Sequence, residues 1–342
     1  TRLRTVTGVQ TCALPIFDAA RAEARAHDAG RSRAPFAGVP MVVKDLECAM
    51  AGEPHHMGSV FLKHVGHRAT EDSYLARRLR DAGFVVLGRT NTPEFGGTIT
   101  TEPVAYGPTR NPWHLDHSTG GSSGGSAALV AARAVAVAHA NDGGGSIRIP
   151  ASECGLVGLK PSRGRVSKGP DVGESWMGST IDGVVSRTVR DTAAVLDLAA
   201  GYEAGDPYAA PPFARPLAQE VRHAPHELRI GLLARPLLPG GLDDPESRAS
   251  VEETGRLLEG LGHVVEVAHP PAIGEQHFAD LFTTIVAVCT AADLLALERL
   301  VGRAMRPDEV EPQTAFMRDV GRATTSTDYL HAVAELHRWS RR

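Results

Sequence analysis

The hydrophobic pattern from residue 17 onward switches repeatedly between two periods. Ala-rich or amphipathic stretches typical of helices alternate with short apolar runs typical of buried strands. Helices are predicted at 17–30, 70–81, 127–134, 189–200 and 245–261. Strands are predicted at 39–46, 84–90, 135–139, 228–234 and 263–268. Strands separated by helices predict an α/β fold with a mixed, mostly parallel central sheet covered by helices on both faces.

Turn and cap signals are consistent with one domain over residues 17–342. Thr70 is a candidate N-cap for the second helix, and Gly83 follows its end. Residues 205–216 are rich in proline and are interpreted as a long surface loop rather than an interdomain linker. Residues 270–342 show helical patterns without a clear strand.

The first sixteen residues are left out of the predicted fold. Residues 6–16 read VTGVQTCALPI, a string that resembles the translation of a sequencing-adapter oligonucleotide. A secretory signal is the alternative, but the stretch lacks a long apolar core and a small-residue cleavage site. We therefore expect residues 1–16 to be an artefact or disordered, and the loss of a targeting signal with the true N-terminus stays open.

Composition and charge narrow the class of function. The chain has 342 residues, 42% of them hydrophobic, and a formal net charge of −4, which gives no electrostatic case for nucleic acid or an anionic membrane. Its four cysteines lack CxxC spacing, so we expect a cytoplasmic protein without a disulfide framework or zinc site. No run reaches the roughly 18 apolar residues of a membrane span, so a membrane is not expected as a partner.

Two glycine–serine segments stand out within this packed pattern. Residues 120–126 read GGSSGGS before an Ala-rich helix, and residues 141–150 read NDGGGSIRIP after a strand. Such tracts are commonly flexible linkers, but a linker here would interrupt the core. A phosphate-binding loop needs a following lysine and a dinucleotide site needs GxGxxG, and neither segment has these features.

An oxyanion hole beside a nucleophile fits the second segment better. A turn of three glycines can point its N–H groups at one developing negative charge, and Ser146 closes that turn. A serine nucleophile needs a base, and neither a GxSxG elbow nor a suitably placed histidine is evident. A lysine serves if burial keeps it neutral, and Lys44 at the end of an apolar strand is the best placed. Plain solvation at a strand end is the alternative for this lysine.

The chain resembles the amidase signature family over residues 17–342. Six sequence pieces carry the resemblance and follow the family's order: GVPMVVKD (38–45), GRTNTPEFG (88–96), NPW (111–113), GGSSGGSAA (120–128), DGGGSIRIPAS (142–152) and GLVGLKPSRGRVS (155–167). The resemblance implies the amidase signature fold. We expect the domain to be truncated at both ends, because the family continues well past residue 342 and the adapter-like string stands where the true N-terminus would be.

The resemblance also implies a catalytic machinery. Its base, bridging serine and nucleophile are Lys44, Ser122 and Ser146. The peptide before the bridging serine is cis in the family. The implied oxyanion donors are Gly143, Gly144 and Gly145, while Asp142 and Arg148 support the turn. The implied reaction is hydrolysis of a C–N amide bond through an acyl-enzyme, without metal or organic cofactor, on a small acyl amide or an oligoamide. A homodimer stays open.

Two departures and two rival functions accompany this interpretation. Asn141 and Gly143 replace residues that are Thr or Ser in many members, and with TRNPW and IRIPAS the chain is similar to the branch that contains 6-aminohexanoate cyclic dimer hydrolase. The A subunit of glutamyl-tRNA amidotransferase is a rival, although Ile149 stands where those subunits typically carry Gln. A non-catalytic truncated fragment is the other.

The sequence also contains two histidine pairs with the spacing of metal ligands. They are His64 with His67, and His114 with His117. Neither pair has an obvious carboxylate as third ligand, so we interpret them as surface or loop histidines.

Overall fold

A computed structural model describes residues 12–30, 33–238 and 240–342. Its strands, in chain order, are β1 Cys12–Pro15, β2 Pro40–Lys44, β3 Val85–Thr90, β4 Arg110–Asn111, β5 His114–Ser118, β6 Val137–Asp142, β7 Val157–Gly158, β8 Ile181–Ser186, β9 Arg229–Leu232 and β10 Val264–Val267. Its α-helices are α1 Phe17–Asp28, α2 Val60–His64, α3 Tyr74–Asp81, α4 Gly124–Ala131, α5 Arg148–Glu153, α6 Val189–Ala199, α7 Leu217–Glu220, α8 Pro245–Gly260, α9 Gln276–Val301, α10 Pro312–Ala323 and α11 Ser326–Trp339. Short 3₁₀ helices lie at Glu94–Gly96, Pro271–Gly274 and Pro307–Glu309.

The chain divides into two compact units within the predicted single domain. The first comprises Thr1–Val221 and Leu294–Phe316, and the second comprises Arg222–Asp293 and Met317–Arg342. The boundary near residue 221 follows closely on the proline-rich loop at 205–216.

The first unit is built on a six-stranded sheet of order β1-β3-β2-β6-β8-β7. Strands β3, β2 and β6 are parallel, whereas β1 pairs antiparallel with β3, and β8 pairs antiparallel with β6 and β7. The mixed sheet is confirmed, but its parallel part is confined to the three central strands. Residues 159–180 form no crossover helix, and antiparallel pairing, unlike parallel pairing, does not need one.

Hydrophobic layers cover both faces of this sheet, as predicted. Side chains alternate along a strand, so Met41 and Val43 face one side and Val42 faces the other. The first side packs against α3 and α6 through residues such as Leu75, Leu79, Val195 and Leu196. The second packs against α4 and α5 through Leu129, Val130, Ile147 and Ala151.

Several predicted boundaries move by a few residues. Helix α3 begins after Ser73, whose side chain accepts the N–H of Ala76 at 3.1 Å, so Ser73 and not Thr70 is the N-cap. Helix α4 begins inside the glycine–serine segment and β6 extends to Asp142. The shifts bring both segments to the same end of the sheet.

Part of the excluded N-terminal segment belongs to the fold. Cys12–Pro15 form β1, which adds an antiparallel edge strand beside β3. Our expectation of disorder is therefore wrong for these residues, because the free edge of β3 offers them backbone partners. Residues 1–11 lie outside the described residues, and the origin of the segment stays a prediction.

The second unit combines a small parallel sheet with helices. Strands β9 and β10 pair in parallel, and α8 lies between them in sequence. Residues 270–342 are mainly helical, as predicted, and all of them except Leu294–Phe316 belong to this unit. Within this unit, Trp339 stacks on Phe278 at 4.3 Å between ring centroids and donates its indole N–H to the carbonyl oxygen of Ala272 at 3.0 Å.

Helix α9 contradicts the expectation that no segment of the chain is long and apolar enough to span a membrane. It has 26 residues, and its most apolar window has a mean hydropathy of 1.8, sufficient for a span by length and composition alone. Core helices of soluble proteins pass the same test. Leu281, Ile285 and Ala287 on this helix are buried, whereas most of the apolar window is half-buried or exposed.

Candidate active site

Lys44 is the last residue of β2, and its side chain is completely buried. Its Nζ lies 2.6 Å from Ser122 Oγ and 2.5 Å from Asn141 Oδ1. The apolar run that precedes it forms the central strand, which carries the amine into the interior rather than into solvent. The alternative of plain solvation is therefore excluded for Lys44.

Burial changes the protonation of this lysine. Removal from water lowers the pKa of Lys44 to about 7, although the carboxylates of Glu47, Asp182 and Asp142 act in the opposite direction. An amine with this pKa is substantially neutral at physiological pH. Lys44 can therefore accept a proton, which an ordinary surface lysine cannot do.

Ser122 lies in the turn before α4, and its side chain is buried. The Gly121–Ser122 peptide is cis, as the family resemblance implied. The next residue, Ser123, donates its backbone N–H to the carbonyl oxygen of Ser146 at 3.3 Å. This contact brings the loop of Ser146 directly beside the Lys44–Ser122 pair, so the structure assembles the three predicted residues in one place.

The turn before Ser146 is held by one carboxylate. Asp142 accepts the backbone N–H of Gly145 at 2.8 Å and of Ile147 at 3.1 Å. Arg148 donates its Nε and Nη2 to the two oxygens of Asp142, each at 2.9 Å. These two bonds hold the turn in the way that the sequence predicted for Asp142 and Arg148.

This arrangement corrects the predicted oxyanion hole. The N–H of Gly145 is already committed to Asp142, so Gly145 shapes the turn, with φ of +126° that favours glycine. Gly143 and Gly144 remain as candidate donors. A Cβ on Gly143 would come within 2.9 Å of the Trp176 ring, which places this aromatic side chain against the glycine turn.

A closed ring of buried and partly buried polar contacts starts and ends at Lys44, and we call it the Lys44 ring. Starting from the Lys44 amine, it passes through Asn141, Glu47, Lys168, Asp182 and His139 and returns to the Lys44 backbone. Its contacts range from 2.5 Å to 3.5 Å. The ring joins two strands, β6 and β8, to the base.

The remaining sequence candidates lie elsewhere. His64 pairs with the buried Glu309 at 3.3 Å, and the rings of His114 and His117 meet edge to face. No three His, Cys, Asp or Glu side chains converge as a metal site would need in 12–30, 33–238 or 240–342. Cys154 is a buried core residue, and Cys289 is half-buried on α9.

Comparison with known proteins gives this arrangement its family. The profile of the amidase family matches residues 2–342. The chain belongs to the amidase family. Solved amidase signature enzymes share the fold, which confirms the predicted mixed α/β architecture.

Two curated amidases are similar to the chain over most of its length. They are the 6-aminohexanoate-cyclic-dimer hydrolases of Paenarthrobacter ureafaciens and Pseudomonas sp. (strain NK87), 45% and 44% identical over 87% of this chain and 60% of each relative. The chain thus spans 60% of the length of these relatives. A structure of 6-aminohexanoate cyclic dimer hydrolase complexed with substrate superimposes with a TM-score of 0.94, at 40% identity, over 98% of this chain and 70% of that one.

The candidate site contains residues that the sequence analysis does not single out. Glu47, Lys168, Asp182 and His139 were not singled out, and Asn141 was noted only as a departure from the family pattern. One signal was available in the composition. Lysine is rare in this chain, with four in 342 residues, and two of the four, Lys44 and Lys168, lie in this site.

Proposed function

We propose that this chain carries the hydrolytic centre of an amidase that cleaves C–N amide bonds with Ser146 as nucleophile, Ser122 as proton relay and Lys44 as base. The observation that carries the proposal is the buried contact of 2.6 Å between Lys44 Nζ and Ser122 Oγ. A neutral buried amine beside a serine hydroxyl, with a second serine on the adjoining turn, is an arrangement suited to nucleophilic catalysis.

The proposed reaction begins with two linked proton transfers. Lys44 takes a proton from Ser122 as Ser122 takes one from Ser146, and the Ser146 oxygen attacks the amide carbonyl carbon. The backbone N–H groups of Gly143 and Gly144 hold the resulting oxyanion. Ser122 then passes a proton to the leaving nitrogen, and the C–N bond breaks. The protonated Lys44 returns a proton to Ser122. Water attacks the acyl-enzyme by the same relay and restores Ser146.

We propose a small acyl amide or an oligoamide, cyclic or linear, as the substrate. The similarity to two 6-aminohexanoate-cyclic-dimer hydrolases supports this class. The charges near the base support it as well, because Asp142 is neutralised by Arg148 and Lys168 by carboxylates. The two charged clusters that face the base, Asp142 with Arg148 and Lys168 with Glu47 and Asp182, are thus paired within the protein.

The proposal is tested by assaying the purified chain with a panel of amides. It comprises the cyclic and linear dimers of 6-aminohexanoate and an aryl acylamide, with release of amine as the signal. Ser146→Ala is expected to lower kcat/KM by at least about 10⁴-fold, because the nucleophile is removed. A fluorophosphonate probe, read by mass spectrometry, is expected to modify Ser146.

Ser152→Ala provides the matched control. Ser152 is an exposed serine on α5, six residues after the nucleophile, and its variant is expected to keep the activity and the labelling of the parent. Labelling at another serine, together with full turnover by Ser146→Ala, would remove Ser146 from the mechanism.

A further inference from the structure

Glu47 has an unusual conformation beside the base. Its φ of 56° lies in the left-handed region, which is uncommon for a residue with a long side chain. Its carboxylate accepts the side-chain amide of Asn141 at 2.9 Å and contacts Lys168 Nζ at 2.6 Å. Backbone outliers of this kind cluster at functional sites, where the surrounding contacts hold them in place.

The contact with Glu47 fixes the orientation of Asn141. A carboxylate only accepts hydrogen bonds, so the Asn141 NH₂ group must face Glu47 and the Asn141 carbonyl oxygen must face Lys44. That oxygen accepts one N–H of Lys44 in both protonation states. The lone pair of the neutral amine is then left for the Ser122 hydroxyl, 2.6 Å away.

The charges of the Lys44 ring complement this geometry. Glu47 and Asp182 are acids, Lys168 is a base between them, and His139 donates from Nε2 to Asp182 and accepts the Lys44 backbone N–H at Nδ1, which makes it neutral. Two carboxylates and one ammonium leave one negative charge when Lys44 is neutral. When Lys44 takes up a proton, the ring becomes neutral.

We propose that Glu47 is a positioning residue for this reaction: its carboxylate, held between Asn141 and Lys168, aims Lys44 at Ser122 and supplies the charge that balances the proton Lys44 receives. The inference rests on the proposed function of Lys44 as base. It extends that function to a residue outside the triad.

The charges that face Lys44 predict that loss of Glu47 and loss of Lys168 change the pKa of Lys44 in opposite directions. Carboxylates of Glu47, Asp182 and Asp142 raise the pKa of Lys44, whereas the Lys168 ammonium lowers it. Burial lowers the pKa of Lys168 itself, but Asp182 and Glu47 outweigh burial and hold it above the ordinary value. Lys168 therefore stays charged over the pH range in which Lys44 titrates.

Lysine-selective ¹³C labelling permits a direct test, because the chain has four lysines: Lys44, Lys63, Lys160 and Lys168. The side-chain resonance of Lys44 is assigned with Lys44→Arg and titrated from pH 5 to 10. Glu47→Gln is expected to lower the titration midpoint of Lys44 by about one pH unit or more. Lys168→Gln is expected to raise it, and the charge-retaining Glu47→Asp is expected to stay close to the parent.

The pH dependence of kcat/KM for an amide is the second readout. Its rise is expected to shift in the same directions as the midpoints, with the exposed Glu259→Gln on α8 as control. A midpoint that is unchanged, or that moves the same way in Glu47→Gln and Lys168→Gln, overturns the inference. If Lys168→Gln does not fold, the comparison of Glu47→Gln with Glu47→Asp decides alone.

Failure of the inference is distinguishable from failure of the proposed function. Absence of amide turnover in the parent contradicts the proposed function, but the midpoint of Lys44 is still measured by the NMR titration. Turnover with a midpoint that Glu47→Gln leaves unchanged contradicts the role of Glu47 alone.

Discussion

The proton affinity of Lys44 is set by its place at the end of a buried strand. Because its pKa is about 7, the amine is protonated below that pH and accepts no proton from Ser122. We therefore expect kcat/KM to rise about tenfold per pH unit below about pH 7 and to level off above it. Initial rates on one amide from pH 5 to 9, with stability checked at each pH, measure this profile.

Lys44→Arg is the companion variant for the pH profile. An arginine keeps its charge at every pH of the experiment, so this variant is expected to be inactive throughout. A parent rate that stays constant between pH 5 and 9 would contradict the assignment of Lys44 as base.

At the residue scale, resemblance to a family led to the proposed triad, whereas the Lys44 ring could be found only in the folded structure. Lys44, Ser122 and Ser146 stand in recognisable motifs. Glu47 and Lys168 are 121 positions apart in the sequence, and each looks like an ordinary surface charge when taken alone. Gly145, in contrast, was given a role in the oxyanion hole that its contacts do not allow. It was grouped with its neighbours as a donor, but the bond from its N–H to Asp142 is visible only in three dimensions.

Helix packing in the second unit depends on a glycine that has no conformational role. A Cβ on Gly321 of α10 would lie 2.0 Å from the carbonyl oxygen of Ala287 on α9. Gly321→Ala is therefore expected to lower the free energy of unfolding by about 1–3 kcal/mol, although alanine favours the helix itself. Chemical denaturation followed by circular dichroism measures the change.

Gly260 of α8 is the matched control, since nothing lies within 4 Å of a Cβ built there. Gly260→Ala is expected to be neutral or to stabilise by at most about 1 kcal/mol. Equal destabilisation by both substitutions would contradict close packing at Gly321 as the cause.

At the element scale, hydrophobic period predicted most of the described helices but only five of the ten described strands, and helix caps were harder still. Thr70 and Ser73 are both acceptable N-caps by residue type. The structure uses Ser73 because the chain turns into the helix there. Strand β1 has no distinctive pattern of its own, and it forms because β3 presents a free edge.

The two units differ in how deeply their sheets are buried, which predicts different local stabilities. Every residue of β6 is buried, whereas β9 and β10 consist of exposed and half-buried residues. We expect backbone amides of β6 to exchange with deuterium at least about a hundredfold more slowly than those of β9 and β10. Exchange followed by mass spectrometry, or by NMR for single amides, gives both rates. Equal protection would contradict this prediction.

At the scale of the whole molecule, the pattern predicted the class of fold but not its division into two units. The pairing of β9 with β10 uses the same periodicity as the main sheet, so the pattern alone does not assign them to a separate sheet. The antiparallel return of β8 beside β6 was missed for a similar reason. Strand direction depends on the path of residues 159–180, which have no regular period.

The Lys44 ring limits how this sequence can change over evolutionary time. The ring begins at the Lys44 amine and ends at the Lys44 backbone N–H, so every member makes a hydrogen bond or ion pair with two neighbours. Loss of any single member leaves a buried polar group without its partner, which is costly in a low-dielectric interior. Once one member is lost, its neighbour is already unpaired, so replacing that neighbour as well costs much less free energy of folding. Substitutions at Glu47, Asn141, Lys168 and Asp182 are therefore expected to be inherited in groups, and a lineage that keeps one of them has reason to keep them all.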